Sequence, residues 1–274
     1  MNRTGIEGYR DFLAKRDGEA DLLNRRLANR EQFFSDLESN PVRSAHPVDR
    51  AVFLRNLRRR RPEPGLDDRM LFLLATAKLN QAERFGVGLG ETYGRNSDES
   101  VPPERVYVEL EEHYHTRLLA YALDAFDLTF QVVAPPFVVR QFVKANVFLP
   151  ERLGFVFVGA GEMAGCILFD ELRRVGRRLF ADEPHVAERI ELLYSEILTD
   201  EIGHVGYCAS RCTAAERAIM RRIYPLIGRL LARQTAEISL LIDREAFHAR
   251  LDRPFDVEEL TADLDNETYL VTHP

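Results

Sequence analysis

The sequence lacks the features that mark membrane and secreted proteins. No stretch of the 274 residues reaches the roughly 18 consecutive apolar positions of a membrane-spanning helix. The first residues, which include Asp11 and Asp17, lack the apolar core of a signal peptide. The three cysteines, Cys166, Cys208 and Cys212, form no Cys-x-x-Cys pair, and their odd number suits a reducing compartment. These absences predict a cytoplasmic protein without membrane contact.

Strand patterns and nucleotide-binding motifs are also missing. No segment alternates apolar and polar residues for long enough to predict a strand. The glycine-rich stretch Gly86–Gly90 lies inside a predicted helix rather than after a strand, so it is not a dinucleotide-binding loop. The net charge of -7 argues against nucleic acid as the main partner. The composition, 45% hydrophobic and 30% charged, is that of an ordinary globular protein.

What the sequence does contain is helical periodicity along almost its whole length. Segments free of Gly and Pro punctuation alternate with short breaks rich in turn residues. The predicted helices are 7–38, 48–61, 67–92, 103–131, 136–149, 151–180, 184–210 and 213–243. The four within 67–210 that exceed 20 residues are long enough for the core of a bundle about 35 Å tall. The acidic residues after 243 have no clear period and are predicted to lie over the bundle or fray.

Each of these four long helices carries a glutamate on an otherwise apolar stripe. The glutamates are Glu83, Glu112, Glu162 and Glu201, each separated from apolar neighbours by steps of three and four residues. A buried carboxylate without a partner costs several kcal/mol or takes up a proton. If the stripes pack inward, four negative charges meet at one level, and two divalent cations would neutralise them.

The spacing of two histidines adds an independent signal. His115 follows Glu112 by three residues, and His204 follows Glu201 by three, so each pair lies on one helical face. One Glu-x-x-His motif is weak evidence because it often arises by chance. Two copies on separate long helices, interleaved with two lone glutamates, match the arrangement of di-iron and di-manganese carboxylate bundles.

An acidic residue precedes the glutamate of each motif. These residues, Glu111 and Asp200, are candidates for orienting a ligand imidazole from outside the metal centre. For Glu111, a place on the protein surface is an open alternative.

On these residues the chain resembles the ferritin-like di-iron carboxylate superfamily, over about 70–210. The resemblance implies an all-α fold with a ferritin-like four-helix bundle core and additional flanking helices. It implies two iron ions, or manganese in place of one or both, held by ligands that are also the catalytic residues: Glu83, Glu112, His115, Glu162, Glu201 and His204. The expected organisation is a single domain over 1–274, with the metal-binding core at about 67–210 and helices at 7–61 and 213–243 packed on it.

Within the superfamily, the layout is most similar to the p-aminobenzoate N-oxygenase-like di-iron oxygenases. That family has a third histidine ligand one turn before the last glutamate, where this sequence has Ile197, which puts amine oxidation in question. The radical tyrosine of ribonucleotide reductase small subunits is replaced by Leu119. The resemblance thus implies a non-haem di-iron oxygenase or oxidase that activates O2 to oxidise a small organic substrate, with amine N-oxygenation as one option. A separate reductase or ferredoxin would supply electrons.

Two other functions stay open. One is ferritin-like or rubrerythrin-like metal storage or peroxide handling, although no cysteine pair is present for a rubredoxin iron. The other is a di-iron hydroxylase of a macromolecule such as tRNA, for which the basic run Arg58–Arg61 is the supporting feature. A homodimer is one assembly that the sequence allows, and a 24-mer would favour storage.

Residues near the predicted ligands have two interpretations each. The glycines Gly86, Gly88, Gly90, Gly159, Gly161 and Gly165 either leave space beside the metals or permit close helix packing. The aromatic residues Phe126, Phe155 and Phe169 either line a pocket or belong to the core.

Overall fold

The computed structural model describes residues 6–17, 22–94, 103–129, 137, 140–141, 144 and 149–264, and within these ranges it contains helices and no strand. The helices are α1 Ile6–Asp17, α2 Leu22–Ser39, α3 Arg50–Leu57, α4 Asp68–Gly94, α5 Pro103–Asp124, α6 Glu151–Leu179, α7 Pro184–Arg211, α8 Ala214–Gln234, α9 Ala236–Leu241, α10 Arg244–Leu251 and α11 Val257–Thr261. The prediction of an all-helical protein is therefore confirmed for the part of the chain that the structure describes.

The four long helices α4, α5, α6 and α7 pack side by side as a bundle. α4 contacts α5, α5 contacts α7, α7 contacts α6, and α6 contacts α4, so the four helices enclose a shared interior. Apolar side chains fill this interior, and Phe72, Leu119, Ile190 and Leu198 are fully buried. The stripes that the sequence predicted to face inward do so, since burial of apolar surface drives their association.

The remaining helices pack around this bundle. α1 contacts α7, α2 contacts α5, and α3 contacts α4. On the other side, α8 packs along α6 and begins with a capping box in which Thr213 and Glu216 satisfy each other's backbone N–H groups. α2 thus lies against one of the two helices that carry a Glu-x-x-His motif.

Several predicted helix boundaries were wrong. The helix predicted to run to 131 ends at Asp124, because the chain turns at 125–127 and Asp127 adopts a positive φ of 55°. Aspartate tolerates this conformation better than most residues, and no Gly or Pro announces the turn. The helix predicted at 48–61 spans Arg50–Leu57, and most of the one predicted at 136–149 lies outside the described residues.

The first and last predicted helices are each divided. The segment 7–38 corresponds to α1 and α2, and residues 18–21 between them lie outside the described ranges. The segment 213–243 is interrupted at Thr235, which has an extended backbone with φ -108° and ψ 94°. The sequence carries a turn signal, Asp17-Gly18, at the first junction that the prediction passed over, whereas neither Gly nor Pro adjoins Thr235 at the second.

The acidic segment after 243 contains two short helices that are anchored to α6. Arg250 of α10 makes ion pairs with Asp170 at 2.6 Å, with Glu171 at 2.9 Å and with Glu259 at 3.1 Å. Asp170 is fully buried, so its charge requires such a partner. The described part of this segment therefore lies over the bundle, as one of the two sequence expectations had it.

One described helix, α6, is long and apolar enough to cross a bilayer by length and composition, although no uninterrupted apolar run had been found. More than half of its most apolar window, 56%, is buried inside the protein. The same properties occur in the core helix of a bundle, which is the place that α6 occupies.

Glycine at 176 allows α6 to approach α4 and α7 closely. A Cβ at this position would lie 2.6 Å from Cγ2 of Ile190 and 3.0 Å from Cζ of Phe72. We expect Gly176→Ala to lower the free energy of unfolding by about 1–3 kcal/mol through overpacking. Gly161→Ala on the same helix is the matched control, because nothing lies within 4 Å of its Cβ position. Urea unfolding followed by circular dichroism measures both, and equal stabilities would contradict the packing assignment.

Candidate metal centre

Six side chains from all four bundle helices converge in the interior of the protein. Their candidate ligand atoms form two groups, in each of which the atoms lie within 4.8 Å of one another: Glu112, Glu162, Glu201 and His204 in one, and Glu83, Glu112 and His115 in the other. Every residue that the sequence predicted as a ligand belongs to one of these groups. Because Glu112 belongs to both, the two candidate metal positions share a carboxylate.

The carboxylates of Glu112 and Glu201 each lie between the two imidazoles, with one oxygen nearer His115 and the other nearer His204. Oε1 of Glu112 is 3.1 Å from Nδ1 of His204, and its Oε2 is 3.9 Å from Nδ1 of His115. Oε1 of Glu201 is 3.4 Å from Nδ1 of His115, and its Oε2 is 3.8 Å from Nδ1 of His204. The two imidazole centroids are 5.5 Å apart. Both carboxylates therefore span the two imidazoles, as carboxylates that bridge two metal ions must do.

The inward-facing atoms of this cluster are left unsatisfied by the protein. Nδ1 of His115, Nδ1 of His204 and Oε2 of Glu201 are buried and make no hydrogen bond with the described residues, and on the outer side of the cluster the same holds for Nε2 of His115, which is only within ion-pair distance of Asp200. Buried polar atoms without a partner are rare and costly. Imidazole nitrogens and carboxylate oxygens are suitable ligands for iron or manganese, so the residues present fit a pair of such ions.

The outward-facing nitrogens of the two imidazoles face acidic side chains on the opposite motif helix. Nε2 of His204, on α7, is hydrogen-bonded to Oε2 of Glu111, on α5, at 3.1 Å. Nε2 of His115, on α5, is 3.5 Å from Oδ2 of Asp200, on α7. Glu111 is 1% exposed, so the surface position that the sequence left open for it does not hold.

Two buried arginines on α2 complete this side of the cluster. Arg26 donates to Glu111 at 2.7 Å and to Asp200 at 2.6 Å. Arg30 donates to the other oxygen of Asp200 and to Glu196 at 2.9 Å. Neither arginine was predicted from the sequence, although both interrupt the apolar stripe of α2 in the way that the glutamates interrupt theirs.

Without metal ions, the carboxylates of the cluster differ widely in acidity. Burial raises the pKa of Glu83 and of Glu162 well above the usual range, and the nearby charges of Glu112 and Glu201 raise it further. Burial acts in the same direction on Glu112, but contact with His204 outweighs it and lowers the pKa of Glu112 to about 2. The interior therefore holds both neutral and ionised carboxyl groups.

Both imidazoles are held in their protonated form by this environment. Burial lowers the pKa of His115, but the neighbouring carboxylates of Asp200 and Glu201 outweigh it and raise the pKa to about 10. The pKa of His204 is raised well above its usual value against the same effect of burial, because Glu111 and Glu112 flank its ring. Protons thus supply the positive charge that the carboxylates require.

The cluster has a closed side and an open side. His115, His204 and Glu201 are at most 3% exposed. Glu83, Glu112 and Glu162 are only partly buried, and the side chain of Glu112 is 25% exposed. Among the described residues, these three carboxylates on α4, α5 and α6 therefore form the more exposed side of the cluster.

The glycines divide between the two roles that the sequence left open. A Cβ at Gly86, Gly88 or Gly161 would meet nothing within 4 Å, and one at Gly165 would lie 3.8 Å from Oε2 of Glu201. The space at Gly165 therefore adjoins the cluster, and the positions of the other three glycines are open. Gly159 instead permits close packing, since its Cβ would lie 2.7 Å from Cε of Met220. The surroundings of Gly90 fall outside the described residues.

The aromatic candidates divide in a similar way. Phe126 packs against Phe180 with a centroid distance of 4.9 Å, and Phe169 packs against Tyr194 at 6.2 Å. Both phenylalanines are buried in the core. Phe155 is partly exposed, so it is the one of the three that is accessible from outside.

Comparison with models of known protein families, with curated proteins and with solved structures gives no match for this chain. The arrangement of the six side chains is therefore the basis for assigning a function.

Proposed function

We propose that this chain is a non-haem di-iron oxygenase or oxidase with a ferritin-like bundle core, which oxidises a small organic substrate with O2. The observation that carries the proposal is the pair of carboxylates, Glu112 and Glu201, that each span both imidazole Nδ1 atoms. Nδ1 of both histidines lies within ion-pair distance of the carboxylates but makes no hydrogen bond with the described residues, which would leave it for a metal ion once the imidazole loses a proton. Two lone glutamates and two Glu-x-x-His pairs form the ligand set of di-iron carboxylate bundles.

The charge of the cluster supports two divalent ions rather than one. Once metal binding displaces the protons of the cluster, the four ionised glutamates would bring four negative charges, which two divalent cations would balance with both imidazoles neutral. Carboxylate-rich sites with imidazole ligands suit iron and manganese better than metals that prefer thiolates. Cys166 and Cys208 are also buried, and their raised pKa keeps the thiols protonated and thus poor ligands.

The protein's own residues bind, orient and shield the centre. His115 and His204 present Nδ1 to the ions while Asp200 and Glu111 face the opposite ring nitrogen and fix each ring. Burial of this side excludes water. When bound, the two iron ions supply the redox chemistry that activates O2.

The open side of the cluster favours a small, largely apolar substrate. One helical turn from the ligands lie Leu79, Val108 and Val158, all partly buried, together with Gly86 and Gly165. Insertion of one oxygen atom into a substrate and release of the other as water consumes two electrons and two protons, which a separate reductase or ferredoxin would deliver. At Ile197, which is fully buried and apolar, no third histidine is present to support amine N-oxygenation in particular.

The test is the reaction of the iron-loaded protein with O2. We expect anaerobic loading to give about two Fe2+ per chain, and O2 to produce a transient visible absorption band as the iron is oxidised. Stopped-flow spectroscopy and an oxygen electrode measure the two events. The matched control is the Zn2+-loaded protein, since zinc fills such a site without redox chemistry.

Two outcomes would contradict the enzyme assignment. Iron accumulation far beyond two ions per chain, in a particle with the mass of a cage, would indicate storage. A protein that binds two Fe2+ but consumes O2 no faster than free iron in the same buffer would be a metal-binding protein without oxygenase function.

A further inference from the structure

We propose that α2, which lies outside the four-helix bundle, is part of the metal centre and that Arg26 and Arg30 are its positioning residues. They hold the carboxylates of Glu111 and Asp200 against the outward ring nitrogens of the two histidines. The inference rests on the proposed metal centre and assigns to the N-terminal part of the chain a role in metal binding.

Arg26 contacts the carboxylates behind both histidines. A single nitrogen, Nη2, donates to Oε1 of Glu111 and to Oδ1 of Asp200. Glu111 faces His204, and Asp200 faces His115. One guanidinium therefore fixes the acceptors behind both imidazoles, and it links α5 to α7 across the back of the cluster.

Of the carboxylates behind the two histidines, Arg30 contacts only the one behind His115. Its guanidinium donates to Oδ2 of Asp200, the same oxygen that faces Nε2 of His115, and to Glu196. With Arg26 on Oδ1, both oxygens of Asp200 are held, so this carboxylate cannot rotate away from the imidazole. A merely structural ion pair would not need to involve the oxygen that faces the imidazole.

The guanidinium groups are themselves fixed in place. Arg26 and Arg30 are 7% and 2% exposed. Arg26 stacks over the ring of Tyr107 at 5.6 Å, and Arg30 stacks over the ring of Tyr114 at 5.5 Å. Both tyrosines belong to α5, the helix that carries Glu111, Glu112 and His115. The arginines are therefore anchored to the helix that carries two of the six candidate ligands, so a displacement of either guanidinium would displace the carboxylates behind the histidines.

The experiment is a titration of the full-length metal-free protein with Co2+, followed by visible absorption and by proton NMR. High-spin Co2+ shifts the ring N–H protons of ligating histidines far outside the normal spectral range. For the wild type we expect two such exchangeable resonances, one from each histidine. Arg26→Met should lower the Co2+ affinity 10- to 100-fold and broaden both resonances by faster exchange with water.

Two further variants separate positioning from general stability. Arg30→Met should broaden one of the two resonances, because Arg30 holds the acceptor behind His115. Arg26→Lys should bind Co2+ more tightly than Arg26→Met and less tightly than the wild type, since an ammonium group can donate to both carboxylates but does not reproduce the stacking on Tyr107. These two variants carry the test if Arg26→Met does not fold.

Arg250→Met is the matched control. Arg250 is also a buried arginine with several carboxylate partners, but it contacts α6 at Asp170 and Glu171, eight and nine residues beyond Glu162. The Arg250→Met variant should be less stable than the wild type and should keep its Co2+ affinity and both shifted resonances. Wild-type resonances and affinity in Arg26→Met, or equal losses in Arg250→Met, would overturn the inference while the metal centre stands. Failure of the wild type to bind Co2+ would overturn the metal centre and the inference with it.

Discussion

Replacement of Glu112 by alanine should remove both metal ions from the purified protein. Its two oxygens face different histidines, at 3.1 Å and 3.9 Å, so the carboxylate belongs to both candidate positions. Its removal would take one ligand from each metal position. Glu83 and Glu162 would then each belong to a group that has lost the carboxylate common to both. We expect the iron content after anaerobic loading to fall from about two ions per chain to less than about 0.3, as measured by plasma mass spectrometry.

Glu109→Ala is the matched control for this measurement. Glu109 lies on the same helix three residues earlier, but its side chain is 51% exposed and pairs with Arg105 at the surface. It should keep the wild-type iron content and thermal stability. Retention of two ions by Glu112→Ala would refute the shared-carboxylate geometry, and retention of one would mean that Glu112 serves a single position.

The convergence of the six candidate ligands could be predicted because an ionisable residue interrupts the apolar stripe of each helix. Glu83 and Glu162 are single acidic residues on apolar stripes, and the rule that such a charge needs a partner applies without knowledge of the partner. The spacing within Glu112–His115 and Glu201–His204 fixes their shared face through the helix geometry alone. Periodicity does not predict which helices pack against one another or at what level their stripes meet.

The arginines on α2 show where the same rule was applied too narrowly. Arg26 and Arg30 lie four residues apart and continue toward Phe34 and Leu37 along one face, so they too are charges on an apolar stripe. Arginine on a helix usually extends to solvent, and its long side chain lets the charged end leave an apolar face. The choice between the two positions depends on the contact of α2 with α5, which is a tertiary fact.

The helix ends show a second limit of the sequence. The turn at 125–127 contains neither Gly nor Pro, and the break at Thr235 follows a helix that already tolerates Pro225 inside it. The local sequence therefore predicted a continuing helix at both places, where the helix ends. The position of the ligands was unaffected, because Glu112 and His115 lie more than two turns before the end of α5.

Metal affinity should rise steeply with pH and continue to rise above about pH 7.5, where an ordinary histidine is already neutral. A raised pKa means that the group holds its proton at neutral pH when no metal is present, and His115, with a pKa of about 10, and His204 are both in this state. A metal ion binds the deprotonated Nδ1, so each ion displaces at least one proton. The affinity for Mn2+ should therefore increase about tenfold per pH unit for each ion between about pH 6 and 8.5.

Calorimetric titration with Mn2+ under argon, in buffers of different ionisation enthalpy, measures the number of protons released. His113→Ala is the control, because His113 is exposed on the same helix as His115 and should not change that number. An affinity that becomes constant above about pH 7.5 would show that the imidazoles are neutral before metal binding. Such a result would also mean that metal binding displaces no proton from the carboxyl groups, so the closed side of the cluster would hold no imidazolium and the raised pKa values of Glu83 and Glu162 would not apply above that pH.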